Sequence, residues 1–317
     1  MSTIAKTIVA TGATSGIGFE AIKQLLLQSQ SYNFILGARD TKTATDAYNG
    51  LKYDTSKHTL SIVPLELNNM NSVKTFAQKT LEKLGASPID YLMLNAATAM
   101  NKKVAETGPH GSKWIEPYLV NHLSQHYLLH LLRPSLERSK TRIVVVSSGA
   151  VRMVKDPSTL EDEMLVIKDT GKSVYAATKF IQLLGAHWWR RQLQGACEVV
   201  AVSPGLIPNT GLARGSDMVI PAGLPDAKSV PEGESLTIRT PPTLVVSGQR
   251  AYQGTGGQSV LRAFTRDDLP EDPEQIFLTS WGEWWPKGVY ELTLDKNLQE
   301  KWSPSKEDIE KEEGVTA

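Results

Sequence analysis

The run Lys6-Thr7-Ile8-Val9-Ala10-Thr11-Gly12-Ala13-Thr14-Ser15-Gly16-Ile17-Gly18 decides how the chain folds. Its first residues, through Ala10, read as a short buried strand. A glycine-rich turn follows, and a helical pattern occupies Phe19 to Gln28. Strand, glycine turn and helix start together make a phosphate cradle, because glycines let the backbone approach a pyrophosphate and the helix N-terminus offers free N–H groups with a positive dipole. A glycine-rich connection with no ligand is the plainer alternative. The spacing here is Thr-Gly-x-x-x-Gly-x-Gly rather than Gly-x-Gly-x-x-Gly.

The bulk properties limit what such a cradle could serve. The 317 residues are 40% hydrophobic and 21% charged, an ordinary globular composition that fits one large domain or two small ones. Thirty-four basic residues balance 34 acidic ones, so nothing invites a polyanion and no nucleic-acid partner is expected. No apolar run approaches the ~18 residues that span a bilayer. Met1 to Lys6 lead into a strand without a signal peptide's apolar region, and the single Cys197 suits a reducing compartment. A cytoplasmic location is expected, with Cys197 a packed thiol.

Outward from the first strand, further strand-like runs cover 33–40, 59–65, 90–97, 142–148 and 197–202. Helical patterns lie at 41–51, 72–84, 114–132 and 174–194. Six strands alternating with helices predict an α/β, doubly wound parallel sheet of Rossmann type, with ligands at the carboxyl ends of the strands. The segment from Arg152 to Gly171, with five acids, is expected to form an exposed loop over the substrate mouth. Beyond Ala213 the pattern weakens. Residues 235–257 read as a loop insertion that the domain tolerates, with a substrate-gating lid as the alternative. After it, 259–264 resumes a helix-compatible pattern and 266–275 looks helical. Trp281, Trp284 and Trp285 either wall a hydrophobic pocket or bury a strand at 288–294. The chain is thus expected to be a single domain over 1–317. Its core is 1–212, its substrate-binding region 213–304, and its charged tail, 305–317, frays.

Ser173-Val174-Tyr175-Ala176-Ala177-Thr178-Lys179 carries the chemistry. A tyrosine and a lysine four residues apart project from one helix face, and a nearby ammonium favours the phenolate. Such a tyrosine can exchange a proton with a substrate oxygen near neutral pH. His122, His126 and His130 also share a face, but no carboxylate or cysteine interleaves them, so no metal is expected.

The glycine turn, Asn95, Asn121, Ser148, the Tyr175/Lys179 pair and Pro204-Gly205, in this order across residues 7–212, resemble the short-chain dehydrogenase/reductase family. The resemblance implies that Thr11, Gly12, Ser15, Gly16, Ile17 and Gly18 cradle a nicotinamide dinucleotide. It places Glu66 and Leu67 at the adenine, and Asn95 and Ala96 at the fourth strand's end against the cofactor. Pro204, Gly205, Ile207 and Thr210 fall beneath the nicotinamide and its phosphates. Ala38 stands where NAD-selecting members carry an acid, and the following Arg39 can bind a 2′-phosphate, so NADP is expected. Ala97 replaces the usual glycine, and 27 positions rather than about 13 separate Ser148 from Tyr175.

By the same resemblance, Ser148 holds a carbonyl oxygen and Tyr175 gives it a proton. Lys179 grips the nicotinamide ribose and lowers the phenol's pKa, while Asn121 opens its helix and holds a water relay. The expected activity is NADPH-dependent reduction of a carbonyl on a hydrophobic small molecule, such as a secondary-metabolite ketone. C=C reduction, a non-redox cyclase or isomerase, and a nucleotide-sensing protein remain alternatives. Assembly into a homo-oligomer is left open.

Overall fold

The computed structural model describes residues 4–99, 105–168, 174–205, 207, 212 and 256–316. Seven strands form one sheet: β1 (Lys6–Thr11), β2 (Tyr32–Ala38), β3 (Thr59–Pro64), β4 (Tyr91–Leu94), β5 (Arg142–Val146), β6 (Glu198–Val202) and β7 (Phe277–Leu278). Their order is β3-β2-β1-β4-β5-β6-β7, and every pairing is parallel. The helices are α1 (Gly16–Leu26), α2 (Thr41–Asn49), α3 (Met70–Leu84), α4 (Glu116–Tyr118), α5 (Ser124–Ser139), α6 (Leu160–Met164), α7 (Tyr175–Gln192), α8 (Gly256–Thr265), α9 (Lys296–Lys301) and α10 (Lys306–Glu312).

The strands are β-branched and apolar because both faces are covered. Val9, Ile35, Leu92, Ile143 and Val199 enter one layer with α3, α5 and α7. Their neighbours Ile8, Phe34, Met93, Val144 and Val200 enter the other with α1, α2 and α8. Strand order reverses between β1 and β4, which opens a crevice at their carboxyl ends. The doubly wound α/β sheet is therefore as the alternation predicted, with one strand more.

Several local expectations fail, each for a visible reason. Over its described residues, 152–168, the acidic segment is no exposed loop. Asp156 and Glu161 do stay outside, Asp156 accepting from the Ser158 N–H and Glu161 pairing with Lys301, but Glu163 is buried and accepts from the Thr159 hydroxyl. Leu160, Met164 and Val166, however, bury in the core, and Leu165 bridges Trp114. Residues 266–275 are not helical, since Pro270 and Pro273 interrupt the ladder; the helix precedes them as α8. No strand forms at 288–294, where the backbone makes two 3-10 turns, Lys287–Val289 and Glu291–Leu294. Trp284 and Trp285 instead pack along β7, Trp284 bridging Leu278 and Trp285 stacking on Phe277.

Nor does the tail fray. Ser305 caps α10, Ile309 is buried, and Glu310 and Glu312 accept hydrogen bonds from Tyr127 and Trp114. The insertion expected at 235–257 lies outside the described residues except Gly256 and Gly257. These two open α8 and pack against Ile17, Ile207 and Glu20, so they belong to the core rather than to a loop.

Candidate active site

The cradle is built from β1, its turn and α1. Gly12 and Gly16 adopt φ of 63° and 56°, a left-handed backbone that glycine tolerates best. A Cβ on Gly12 would lie 2.5 Å from the Ala96 Cα, and one on Gly18 would strike the Gly12 carbonyl. Asn95 donates from Nδ2 to the Gly12 oxygen at 2.6 Å, tying β4's end to the turn. Ser15 takes the N-cap position of α1 with no side-chain cap bond, and the first turn carries no acid. The N–H groups at this helix start thus face the crevice without an internal anion, as a phosphate-binding terminus requires. These residues fit a dinucleotide.

Thr11 stands apart from that list. Its hydroxyl is fully buried, accepts from the Asn95 and Ala96 N–H groups at 3.2 Å each, and donates to Gln125. It braces the turn from inside and its side chain does not face a ligand. Gln125 continues the brace by donating to the Ala96 and Val120 carbonyls, a link that no motif announced.

At the adenosine end, Arg39 is exposed just past β2. Asp40 next to it is the N-cap of α2, its carboxylate held below the usual range by hydrogen bonds from the Thr43 hydroxyl and N–H. Glu66 lies half-buried after β3, its N–H donating to Ser72, and Leu67 is buried.

The catalytic candidates converge where β5, α7 and a π-turn meet. That π-turn, over Leu119–Leu123, interrupts the predicted 114–132 helix and contains Asn121. The Asn121 amide is buried and fully engaged. Its Oδ1 accepts from Thr98 N at 2.8 Å, while Nδ2 donates to the Thr98 carbonyl and the Thr178 hydroxyl. Thr178 donates in turn to the Tyr175 carbonyl, so Asn121 braces the first turn of α7. Ser148, at the end of β5, hydrogen-bonds the Tyr175 phenol.

The expected electrostatics of Tyr175 do not hold. Burial pushes its phenol up to about 12, only partly offset by the Ser148 hydrogen bond. Lys179 is 1% exposed and donates from Nζ to the Val146 carbonyl at 2.9 Å and to Gln182 Oε1 at 3.0 Å. Its charge is turned to those two oxygens and adds no downward pull on the phenol; burial alone lowers Lys179 to about 7.

Pro204 and Gly205 follow β6, with Gly205 at φ 87° and Ile207 buried beside Ile17 and Gly256. Thr210 lies outside the described residues. The three histidines hold structure. His122 Nε2 meets the Trp302 carbonyl, His126 Nε2 the Pro304 carbonyl, and Trp189 donates to His126 Nδ1. Burial also pushes the Cys197 thiol up to about 11.

Residues 6–159 match the short chain dehydrogenase family. A short-chain dehydrogenase/reductase of Pestalotiopsis microspora is 52% identical over 98% of this chain and 99% of its own. A short chain dehydrogenase of Aspergillus nomiae is 28% identical over 75% of this chain and 69% of its own. Among solved structures, the NADPH-bound carbonyl reductase from chicken fatty liver shares the fold with a TM-score of 0.61 at 20% identity, covering 89% of this chain and 94% of that one. A Sphingobium yanoikuyae short-chain dehydrogenase in complex with NADPH follows at 0.54 and 22%, covering 71% and 79%. Near-complete coverage at half identity, on top of the cradle and the Ser148–Tyr175–Lys179 cluster, makes this chain a member of the short-chain dehydrogenase/reductase family.

Proposed function

We propose that the protein is an NADPH-dependent reductase acting on the carbonyl group of a hydrophobic small molecule. The observation that carries this reading is the Ser148–Tyr175 hydrogen bond at the carboxyl edge of the sheet, with Lys179 one helical turn beyond. NADPH, when bound, supplies the hydride. Gly12, Ser15, Gly16, Ile17 and Gly18 would hold its pyrophosphate. Asn95 and Ala96 would shape the wall beside it, Pro204, Gly205 and Ile207 would lie at its nicotinamide, and the Thr210 hydroxyl would cap its phosphates.

The chain's own part is to bind, orient and protonate. Ser148 can donate to a carbonyl oxygen and so fix its position. Tyr175, kept protonated by burial up to about 12, is a donor at any physiological pH, which suits reduction better than oxidation. Lys179 supplies a buried ammonium one turn away, and the opened Asn121 turn links this centre to the β4 end through Thr98.

The choice of the 2′-phosphorylated cofactor rests on the second strand's exit. Arg39 is exposed there, while the one nearby acid, Asp40, is engaged as a helix cap. NADPH in two proteins of the same fold is in keeping with this choice. Among the described residues no helix is long and apolar enough to cross a membrane. The test is NADPH consumption by purified protein against a panel of aromatic and polyketide-like ketones, read with product mass. A gain of two hydrogens, lost in Tyr175→Phe, supports the reading; an unchanged mass with turnover would replace it with isomerisation.

A further inference from the structure

Gln182 is a residue that no family motif includes and that the helix pattern assigns to the core. It lies seven positions after Tyr175 and three after Lys179, so all three line one stripe of α7. Its flanking residues Ile181, Leu183 and Leu184 are buried and apolar, and Gln182 itself is 4% exposed. An amide in that place is unfavourable unless both of its ends are bonded. Only one is. Oε1 accepts from Lys179 Nζ at 3.0 Å, whereas Nε2 is buried with no partner.

Lys179 needs that oxygen. It is among the largest fully buried side chains of the protein, and its ammonium has two acceptors, Gln182 Oε1 and the Val146 carbonyl. Titratable groups on the surrounding elements are occupied elsewhere. His122 in the π-turn bonds the Trp302 carbonyl, and the Tyr118 ring on α4 packs at an angle against Trp114 and edge-on to Trp302. Glu163 on α6 accepts from Thr159, and Glu300 on α9 accepts from Trp188 and Arg191. Arg152, in the turn after Ser148, bonds the Gly149 carbonyl, and Glu198 on β6 pairs with Arg142. None of these groups bonds the ammonium, which burial lowers to about 7. Two neutral oxygens hold the charge, and only Gln182's belongs to a side chain.

We propose that Gln182 is a positioning residue of the reductase site, which with the Val146 carbonyl orients the Lys179 ammonium and sets the pH up to which it stays charged. Its bearing on catalysis rests on the reductase reading; the hydrogen bond itself does not. Two near-isosteric substitutions separate the terms. Gln182→Met removes the acceptor while filling the same space, so the charged form loses support. Gln182→Glu puts a carboxylate at 3 Å, so the charged form gains it.

The experiment follows Lys179 directly, by NMR of protein labelled at lysine Cε, with the signal assigned through Lys179→Met. In the cofactor-free wild type the signal should titrate near neutral pH. Gln182→Met should move the midpoint down, and Gln182→Glu should move it up, each by about one pH unit. The alkaline limit of NADPH-dependent turnover should shift in the same two directions, and Gln182→Asn should restore part of the wild-type behaviour. Equal midpoints in folded wild type, Met and Glu variants would overturn the proposal, as would a fall in kcat with an unmoved pH limit. If the midpoints shift as stated but no carbonyl compound is reduced, Gln182 is confirmed as the lysine's partner and the reductase reading fails instead.

Discussion

Tyr175 and Lys179 show how burial rewrites a motif's chemistry. The phenol stays protonated to about 12 and the ammonium drops to about 7, so near neutral pH the site holds a proton donor beside a lysine close to its own midpoint. Tyr175→Phe keeps the ring and deletes that donor; turnover should fall ~10²–10⁴-fold with NADPH affinity unchanged, and an equal loss of both would indicate a folding defect. Lys179 also makes stability depend on pH. Unfolded, it keeps its proton up to its ordinary 10.5, whereas folded it releases it above about 7, so the unfolded chain binds more protons in between and stability rises with pH across that window. Thermal melts should therefore show Lys179→Met most favoured relative to wild type below pH 7, with the difference shrinking toward pH 10; a constant difference would mean the ammonium is not desolvated. The Tyr-x-x-x-Lys spacing was legible because one helix face brings the pair together. The roles of Thr11 and Gln182 were not, because they depend on which oxygen atoms the sheet brings within reach.

At the scale of elements, the glycine turn and the strand ends were legible because backbone freedom and β-branched runs are local signals. Gly12→Ala joins a left-handed backbone to a collision with Ala96, and NADPH binding should weaken on the order of tenfold or more, as measured by fluorescence titration; unaltered affinity would remove the turn from the site. The helix expected over 259–264 is there as α8, but the elements after it were misread, since charge and short length hid their contacts. The tail looks solvated in sequence, yet the α9–α10 segment is tied to the π-turn, α5 and α7 through His122, His126, Tyr127 and Trp188. Ile309→Ala should accordingly cost about 2 kcal/mol or more in denaturant unfolding, whereas a frayed tail would lose nothing. Burial lowers His122 to about 4 and holds His126 well below its ordinary value, while the unfolded histidines titrate at 6.5. Between those values the unfolded chain takes up protons that the fold refuses, so stability is lost as pH falls from 6.5 toward 4. Hydrogen exchange should then quicken first over 296–316; exchange starting in the sheet would contradict that placement.

Across the whole molecule, alternation of strands and helices was enough to anticipate the parallel sheet, and the reversal between β1 and β4 explains why site residues from distant parts of the sequence meet. The seventh strand was missed because Phe277–Leu278 is two residues long and becomes a strand only against β6. The first residues of α8 were hidden for a similar reason, since Gly256 and Gly257 read as loop until packed on α1. The central claim is that this assembly delivers hydride to a carbonyl carbon while Tyr175 protonates the oxygen. It is tested most directly by incubating the protein with NADPH deuterated at the transferable position and a reactive ketone, then locating the deuterium in the product. The account predicts deuterium on the carbinol carbon, and labelled product formed ~10²–10⁴-fold more slowly by Tyr175→Phe, which still binds NADPH. Deuterium on the β-carbon of an enone whose carbonyl is left intact, or undiminished labelling by Tyr175→Phe, would contradict it.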